Sequence, residues 1–439
     1  MPPPLVAPDL PPAVDERTIF DLNLQHGHKD LVQAVAFNTY GDRCATGSVD
    51  AHGEILELQW LPATIYPNLI ASLGIEGRFK LWAEDPSAPP GRRFVSPSRA
   101  KAAFDTRSSK GAPYRSFSMK HIDPTHHTYL ALLDAHGRLS VYESDEPEQI
   151  DEYIAVDELS VCPRPPRGEE ISFRVRFDPN PEVCYNAVRA GVATDSVALV
   201  VAAMSTVKLY RSRDVVATSA HGVQQAKKEF YLAAEMDVHR GLVRDVAWAP
   251  GNIRGYDMVA TACQDGFVRV FRIDTPFSAA DSKSWSVADL VPSSRHHGAN
   301  TNGTSTPSAA HDASKPTVAS GLSASFAKPN TATVDRPQVH AQAHAQTPPP
   351  AAQHQHQHQH QQQAERNQLA PNDVTHNVRE LSRLDSHRTP VWRVGFDDDG
   401  LVLGSVGDDG HLVCYRQMPS GGWAKSSELS MLKARMVAP

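Results

Sequence analysis

The chain lacks a C-x-x-C pair, a basic excess and any apolar run long enough to cross a membrane. Its five cysteines, Cys44, Cys162, Cys184, Cys263 and Cys414, are scattered through 439 residues. That spacing suits neither a zinc clamp nor a disulfide framework, and it reads as buried thiols in a reducing compartment. Lys and Arg number 43 against 50 Asp and Glu, a net charge of −7. Phosphate neutralisation requires the opposite balance, so direct nucleic-acid binding is not expected. The longest apolar stretch, residues 197–204, falls far short of the roughly 20 residues of a spanning helix. Residues 1–12 are proline-rich and lack the basic and apolar regions of a secretory signal, so a soluble protein not secreted by that route is expected. No G-x-S-x-G, phosphate loop or H-E-x-x-H is present, which points to no catalytic, cofactor or metal site.

Apolar residues make up 40% of the chain, below the roughly 45–50% of a compact globular sequence. The deficit is concentrated between residues 276 and 371, a tract of Ser, Thr, Ala, Asn, Pro, His and Gln that ends in His-Gln alternation at 354–360. So little apolar surface cannot offset the entropy of ordering the chain, and the tract reads as a disordered insertion. The alternating histidines have no turn or acid to fix a metal geometry. Patterned sequence resumes after the tract, which therefore interrupts a domain.

What is abundant is a repeat. An apolar residue, two residues, an apolar residue, one residue and a bulky apolar residue recur as Val32, Val35, Phe37; Ile55, Leu58, Trp60; Tyr114, Phe117, Met119; Val243, Val246, Trp248; and Val391, Val394, Phe396. A looser copy is Ser172, Val175, Phe177. The last two positions of each copy share one face of a strand. Most copies are followed by a hydroxyl or small residue, an acid four positions later, often Gly, and a short strand ending in an aromatic. Thr261, Asp265, Gly266 and Phe271 form the clearest case; Ser405, Asp409, Gly410 and Tyr415, and Ser72, Glu76, Gly77 and Trp82, are others. Asp-Gly marks a hairpin turn, because Gly accepts the positive φ required there. His28, His52, His239 and His387 precede first strands, and Thr46 stands four residues before Asp50.

A His, a hydroxyl, a turn acid and a strand ending in an aromatic are the ingredients of a WD-repeat blade, in which four antiparallel strands stack radially. In such a blade the acid accepts from the His ring, which reaches the hydroxyl. These residues also supply the types of a hydrolytic triad, but their recurrence at blade spacing argues for architecture. Trp60, Trp82, Trp248 and Trp392 read as blade core. The fold expected is all-β: an open six-bladed WD-repeat β-propeller with a long disordered insertion between blades five and six. Residues 1–17 form a tail, 18–275 blades one to five, 276–371 the insertion, 372–432 blade six and 433–439 a second tail.

The intervals between successive motif ends are 23, 59, 58, 71 and 148 residues. The last becomes about 50 without the insertion, against about 40–45 for a blade. The first is too short. After Asp50 the chain passes directly to Ala51-His52-Gly53, so blade one lacks its outer two strands, roughly 20 residues by the blade period.

The phrase Phe79-Lys80-Leu81-Trp82-Ala83-Glu84-Asp85-Pro86, followed by Gly91-Arg92-Arg93-Phe94, resembles the Seh-type nucleoporin family, coat propellers related to the Sec-type propeller of COPII vesicles. Supporting segments are His28-Lys29-Asp30-Leu31-Val32, Trp248-Ala249-Pro250 with Asp265-Gly266, and Val391-Trp392-Arg393-Val394 with Gly407-Asp408-Asp409-Gly410. His136 and Met204 stand where blades three and four should carry the turn acid. The resemblance implies a six-bladed propeller left open, into which a helical scaffold nucleoporin inserts a seventh blade. It also implies other outer-ring coat subunits as partners, at the nuclear pore of the nuclear envelope. The vacuole-associated coat that regulates TORC1 signalling at the vacuole membrane, a COPII-like coat and a closed peptide-binding propeller are the alternatives. Blades one and six, with Val32, Val35, Phe37, Val391, Val394 and Phe396, are the expected joining region.

Overall fold

Short alternating segments punctuated by glycine turns can bury their apolar faces only against other sheets, and the chain does this blade by blade. The computed structural model describes residues 28–49, 53–89, 93–94, 102–108, 111–146, 151–218, 224–251, 254–276, 370 and 373–430. Asp50, His52, Gly91, Arg92, the His-Gln tract and almost all of the expected insertion lie outside them.

Blade one is a two-stranded antiparallel sheet, β1 (Val32–Phe37) and β2 (Cys44–Ser48). Five four-stranded sheets follow. Blade two is β3 (Ile55–Trp60), β4 (Leu69–Gly74), β5 (Arg78–Ala83) and β6 (Phe104–Arg107). Blade three is β7 (Tyr114–Ile122), β8 (His127–Asp134), β9 (Arg138–Ser144) and β10 (Ile154–Ser160). Blade four is β11 (Phe173–Phe177), then the short helix α1 (Tyr185–Arg189), β12 (Ala198–Ala203), β13 (Thr206–Thr218) and β14 (Gln224–Met236). Blade five is β15 (Val243–Trp248), β16 (Asp257–Cys263), β17 (Val268–Asp274) and β18 (Asn377–Leu384). Blade six is β19 (Val391–Phe396), β20 (Val402–Gly407), β21 (His411–Gln417) and β22 (Trp423–Ser430). Among the described residues β2 pairs with β1 alone.

The two ends of the long β17–β18 connection of blade five are stitched together. Asp274 pairs with Asn377 in the β17–β18 ladder, and Thr275 Oγ1 lies 2.8 Å from His376 Nδ1. Arg211 of β13 donates to His376 Nε2 and pairs with Asp257, while Arg213 pairs with Asp373. Burial, then the Arg211 charge, push the His376 ring down to about 2, so the imidazole stays a neutral acceptor.

The core lies between blades. From blade three onward the recurrent motif positions of the innermost strand face the preceding blade: Tyr114, Phe117 and Met119 pack on Leu73, Phe79 and Leu81 of blade two. Val243, Val246 and Trp248 pack on Val200 and Leu209 of blade four. The same geometry buries Val391 and Val394 on Ala260, Ala262 and Val270 of blade five. Trp60 and Trp248 are buried as core, but Trp392 is 39% exposed, because it stands at the bulge of β19, off the packed face. The cysteines also divide. Cys184 and Cys263 are buried, Cys162 and Cys414 half-buried, and Cys44 is exposed on β2, which has no third strand beside it among the described residues. Among the described residues no helix is long and apolar enough to cross a membrane.

Candidate functional site

The turns between the second and third strands all need a left-handed residue. Gly77, Gly137, Gly266 and Gly410 supply it with φ from +70° to +84° in blades two, three, five and six. Met204 (φ +59°) does so in blade four, where an L side chain makes the conformation costly. Blade three has no acid at its turn position. Asp134, two residues before His136, accepts the amide N–H of His136 and of Arg138 at 2.8 and 2.9 Å instead.

The polar network differs from blade to blade. In blade six His387 Nδ1 lies 2.8 Å from Asp409 Oδ2 and its Nε2 lies 2.7 Å from Ser405 Oγ, which Tyr415 meets at 3.3 Å. Against the effect of burial, the hydrogen bond from His387 holds the Asp409 carboxyl below the usual range. In blade five His239 Nε2 lies 2.9 Å from Thr261 Oγ1, but Asp265 does not take the ring. Asp265 accepts two bonds from Arg269 at 3.1 and 2.6 Å, and against burial that pair holds its carboxyl down to about 2. Phe271, with no N–H or O–H to donate, meets the His239 ring edge-on at 5.8 Å. In blade one His28 Nε2 lies 2.9 Å from Thr46 Oγ1. In blade two Trp82 Nε1 donates to Ser72 Oγ at 2.8 Å, and Glu76 stands in the β4–β5 turn. The arginine at i+4 from Asp265 is the signal that would have revealed the exchange of partners.

These are clamps, and His239 makes one testable by pH. Burial, then the Arg269 charge, push its pKa from 6.5 down to about 4. The unfolded chain therefore binds more protons than the fold between those values. Stability from this group is complete above pH 6.5 and is lost as pH falls toward 4, by up to about 3 kcal/mol. Urea unfolding of His239→Gln across that window should show a shallower loss than wild type. Equal slopes would mean that the ring is not held neutral.

A second polar system ties the blades at their inner ends. Bulges in β1, β3, β7, β15 and β19 re-aim the following side chain. Glu57 of β3 accepts the Phe117 N–H at 3.2 Å and the Ser116 hydroxyl at 3.0 Å, and pairs with Arg176 of β11. Ser116 in turn accepts the Val175 N–H at 3.2 Å, and Asp245 accepts the Val394 N–H at 3.2 Å. Against full burial, the charges of Arg176 and Arg174 hold Glu57 ionised, below the usual carboxylate range.

The neighbour-on-neighbour packing runs β1 on β3, β3 on β7, β7 on β11, β11 on β15 and β15 on β19. No comparable packing joins β19 back to β1 among the described residues. Both flanks of that opening are apolar. On β1, Val32, Val35 and Phe37 are 39%, 57% and 63% exposed, although the same motif positions are buried in blades three and five. On blade six the ladder places Gly404 opposite Cys414, Val406 opposite Leu412, and Leu412 opposite Leu429. The equivalent ladder of blade five, Ala260 with Val270 and Ala262 with Val268 and Leu384, is buried by Val391 and Val394. On blade six the same face is only half-buried, and Leu429 is exposed. The structure therefore separates the expected joining residues. Val32, Val35 and Phe37 lie on the open flank; Val391 and Val394 lie inside the seam with blade five, and Phe396 packs there too.

The sequence pattern described as "WD domain, G-beta repeat" matches residues 21–55 and 378–416. A protein named Nucleoporin SEH1 from Chaetomium thermophilum is 47% identical over 98% of this chain and 98% of its own. Nucleoporin SEH1 of Saccharomyces cerevisiae is 24% identical over 89% of this chain and 93% of its own, and Nucleoporin seh1 of Schizosaccharomyces pombe 23% over 57% and 71%.

Proposed function

The chain belongs to the Seh1 nucleoporin family, and on that premise we propose that it is a non-enzymatic structural subunit of the outer-ring coat of the nuclear pore, completed in trans by a blade from a helical scaffold nucleoporin. The observation that carries this reading is the uncovered pair of flanks, β1 with Val32, Val35 and Phe37 on one side and the β20–β22 face on the other. The seams of blades three, four and five bury these positions, and a strand-bearing partner would bury them here while pairing with exposed strand edges. The recurring His–hydroxyl clamps give no single positioned nucleophile, which supports a scaffold and not a hydrolase.

The test uses the full chain, tagged at its own locus and purified at native level, with co-purifying proteins identified by mass spectrometry. Helical outer-ring nucleoporins in stoichiometric amount are the expected result. The double variant Val35→Asp, Phe37→Asp should weaken that association at least about a hundredfold, since two apolar contacts would become buried charges. Both positions are exposed in the free chain, so its own stability should change little. Undiminished recovery with the double variant would overturn the trans-blade reading, and recovery of vacuolar coat subunits alone would move the protein to that complex.

A further inference from the structure

The innermost strands of all six blades, β1 through Gln33 and β3 through Leu56 included, line an open cavity of about 170 Å³ at the propeller axis. Its wall holds Arg115 of β7, Arg174 of β11, Arg244 of β15, and Trp392 and Arg393 of β19, and it includes no carboxylate among the described residues. The arginines are unequally compensated. Arg174 lies 3.7 Å from Glu57 and 3.8 Å from Asp245, carboxylates already engaged by backbone N–H groups. Arg244 pairs with Glu170 at 2.6 Å and stacks over the Trp392 ring at 4.5 Å. Arg393 makes only a 3.4 Å bond to the Trp392 carbonyl, and Arg115 has no acceptor among the described residues.

Two further observations point the same way. The Nε atoms of Arg115 and Arg244 are both buried without an acceptor, although Arg244 is only 7% exposed, and a buried donor left unpaired is costly. Burial, and after the attraction of Glu57 the charge of Arg393, push the Arg174 guanidinium below its usual range, so like charges are held together here. A guanidinium fork offers parallel N–H donors matched to an oxyanion, and a cluster of them recognises acidic motifs.

We propose that this axial mouth is a docking site for an acidic peptide segment of a partner, whose carboxylates are received by Arg115 and Arg393 above the Arg244–Trp392 stack. Its lining reaches Gln33 of β1 and Trp392 and Arg393 of β19, on the two strands that border the break, but includes none of Val32, Val35 and Phe37. Several arginines converging on a side-chain-sized cavity suit a peptide carboxylate better than a nucleic-acid backbone, which needs an extended basic surface.

The experiment is fluorescence anisotropy of labelled hexaglutamate with the full chain, and with inorganic phosphate and a uridine oligonucleotide as competitors. The expected result is saturable binding that weakens with salt and drops at least about tenfold in Arg115→Ala, Arg393→Ala, through loss of charge-assisted hydrogen bonds. The variant Arg393→Glu, at an exposed position, should abolish binding while leaving the thermal melt of the protein unchanged. Binding unaffected by either variant, or none at all, would overturn the proposal. Full displacement by phosphate at concentrations comparable to the peptide's would show a free-anion site instead, and preferential binding of the oligonucleotide would reassign the surface to nucleic acid.

Discussion

Glu57→Ala should lower the stability of the isolated propeller by about 3–5 kcal/mol, the usual effect of breaking a buried ion pair. The carboxylate is buried and has four partners from two other blades: the Ser116 hydroxyl, the Phe117 N–H, Arg176 and Arg174. Alanine leaves the Phe117 N–H without its acceptor and two arginines facing Asp245 alone, each 3.8 Å away. Glu57→Gln keeps an acceptor for the N–H but loses the charge, so its loss should be intermediate. Denaturant unfolding of both variants reads the difference. A loss below about 1 kcal/mol for alanine would mean that Asp245 suffices to hold both arginines.

Phe117→Ala should cost a comparable 3–5 kcal/mol, whereas Phe37→Ala should cost less than about 0.5 kcal/mol in the free chain. Both are motif residues of an innermost strand, Phe117 at the middle position in blade three and Phe37 at the last position in blade one. Phe117 is fully buried and meets Phe79 edge-to-face at 5.0 Å, so truncation leaves a cavity in a seam that cannot collapse around it. Phe37 projects into the opening and already stands in water. Thermal melting of the two variants side by side reads whether position in the ring, and not residue type, sets the cost. Similar losses for both would show that blade one is covered in the free chain.

The succession of blades was legible in the sequence because apolar spacing reports which strand face is buried, and the spacing repeats. Outer strands such as β6 and β10 were not, since their solvent-facing residues follow no apolar alternation. The clamps were legible by residue type but not by pairing. His387, Ser405 and Asp409 meet as expected, yet Arg269 draws Asp265 away from His239 because a bidentate guanidinium outcompetes an imidazole for a carboxylate. The motif Val391, Val394, Phe396 looks identical to Val32, Val35, Phe37. Only the ring order shows that one faces a neighbour and the other faces none. The axial arginines come from separate blades, and no short-range pattern marks their convergence.

The break between β19 and β1 gives the blades a first and a last member. An array in which each unit touches only its neighbours melts from its termini, because an end unit surrenders one interface and an interior unit two. Blade one, with two strands among the described residues and one seam, is the first to fray. Amide protons should therefore exchange fastest there and slowest in blades three and four, where both seams and the Glu57–Arg176 tie persist. Filling the break would remove both termini at once, so a bound partner would protect amides on the far side of the ring that it never touches.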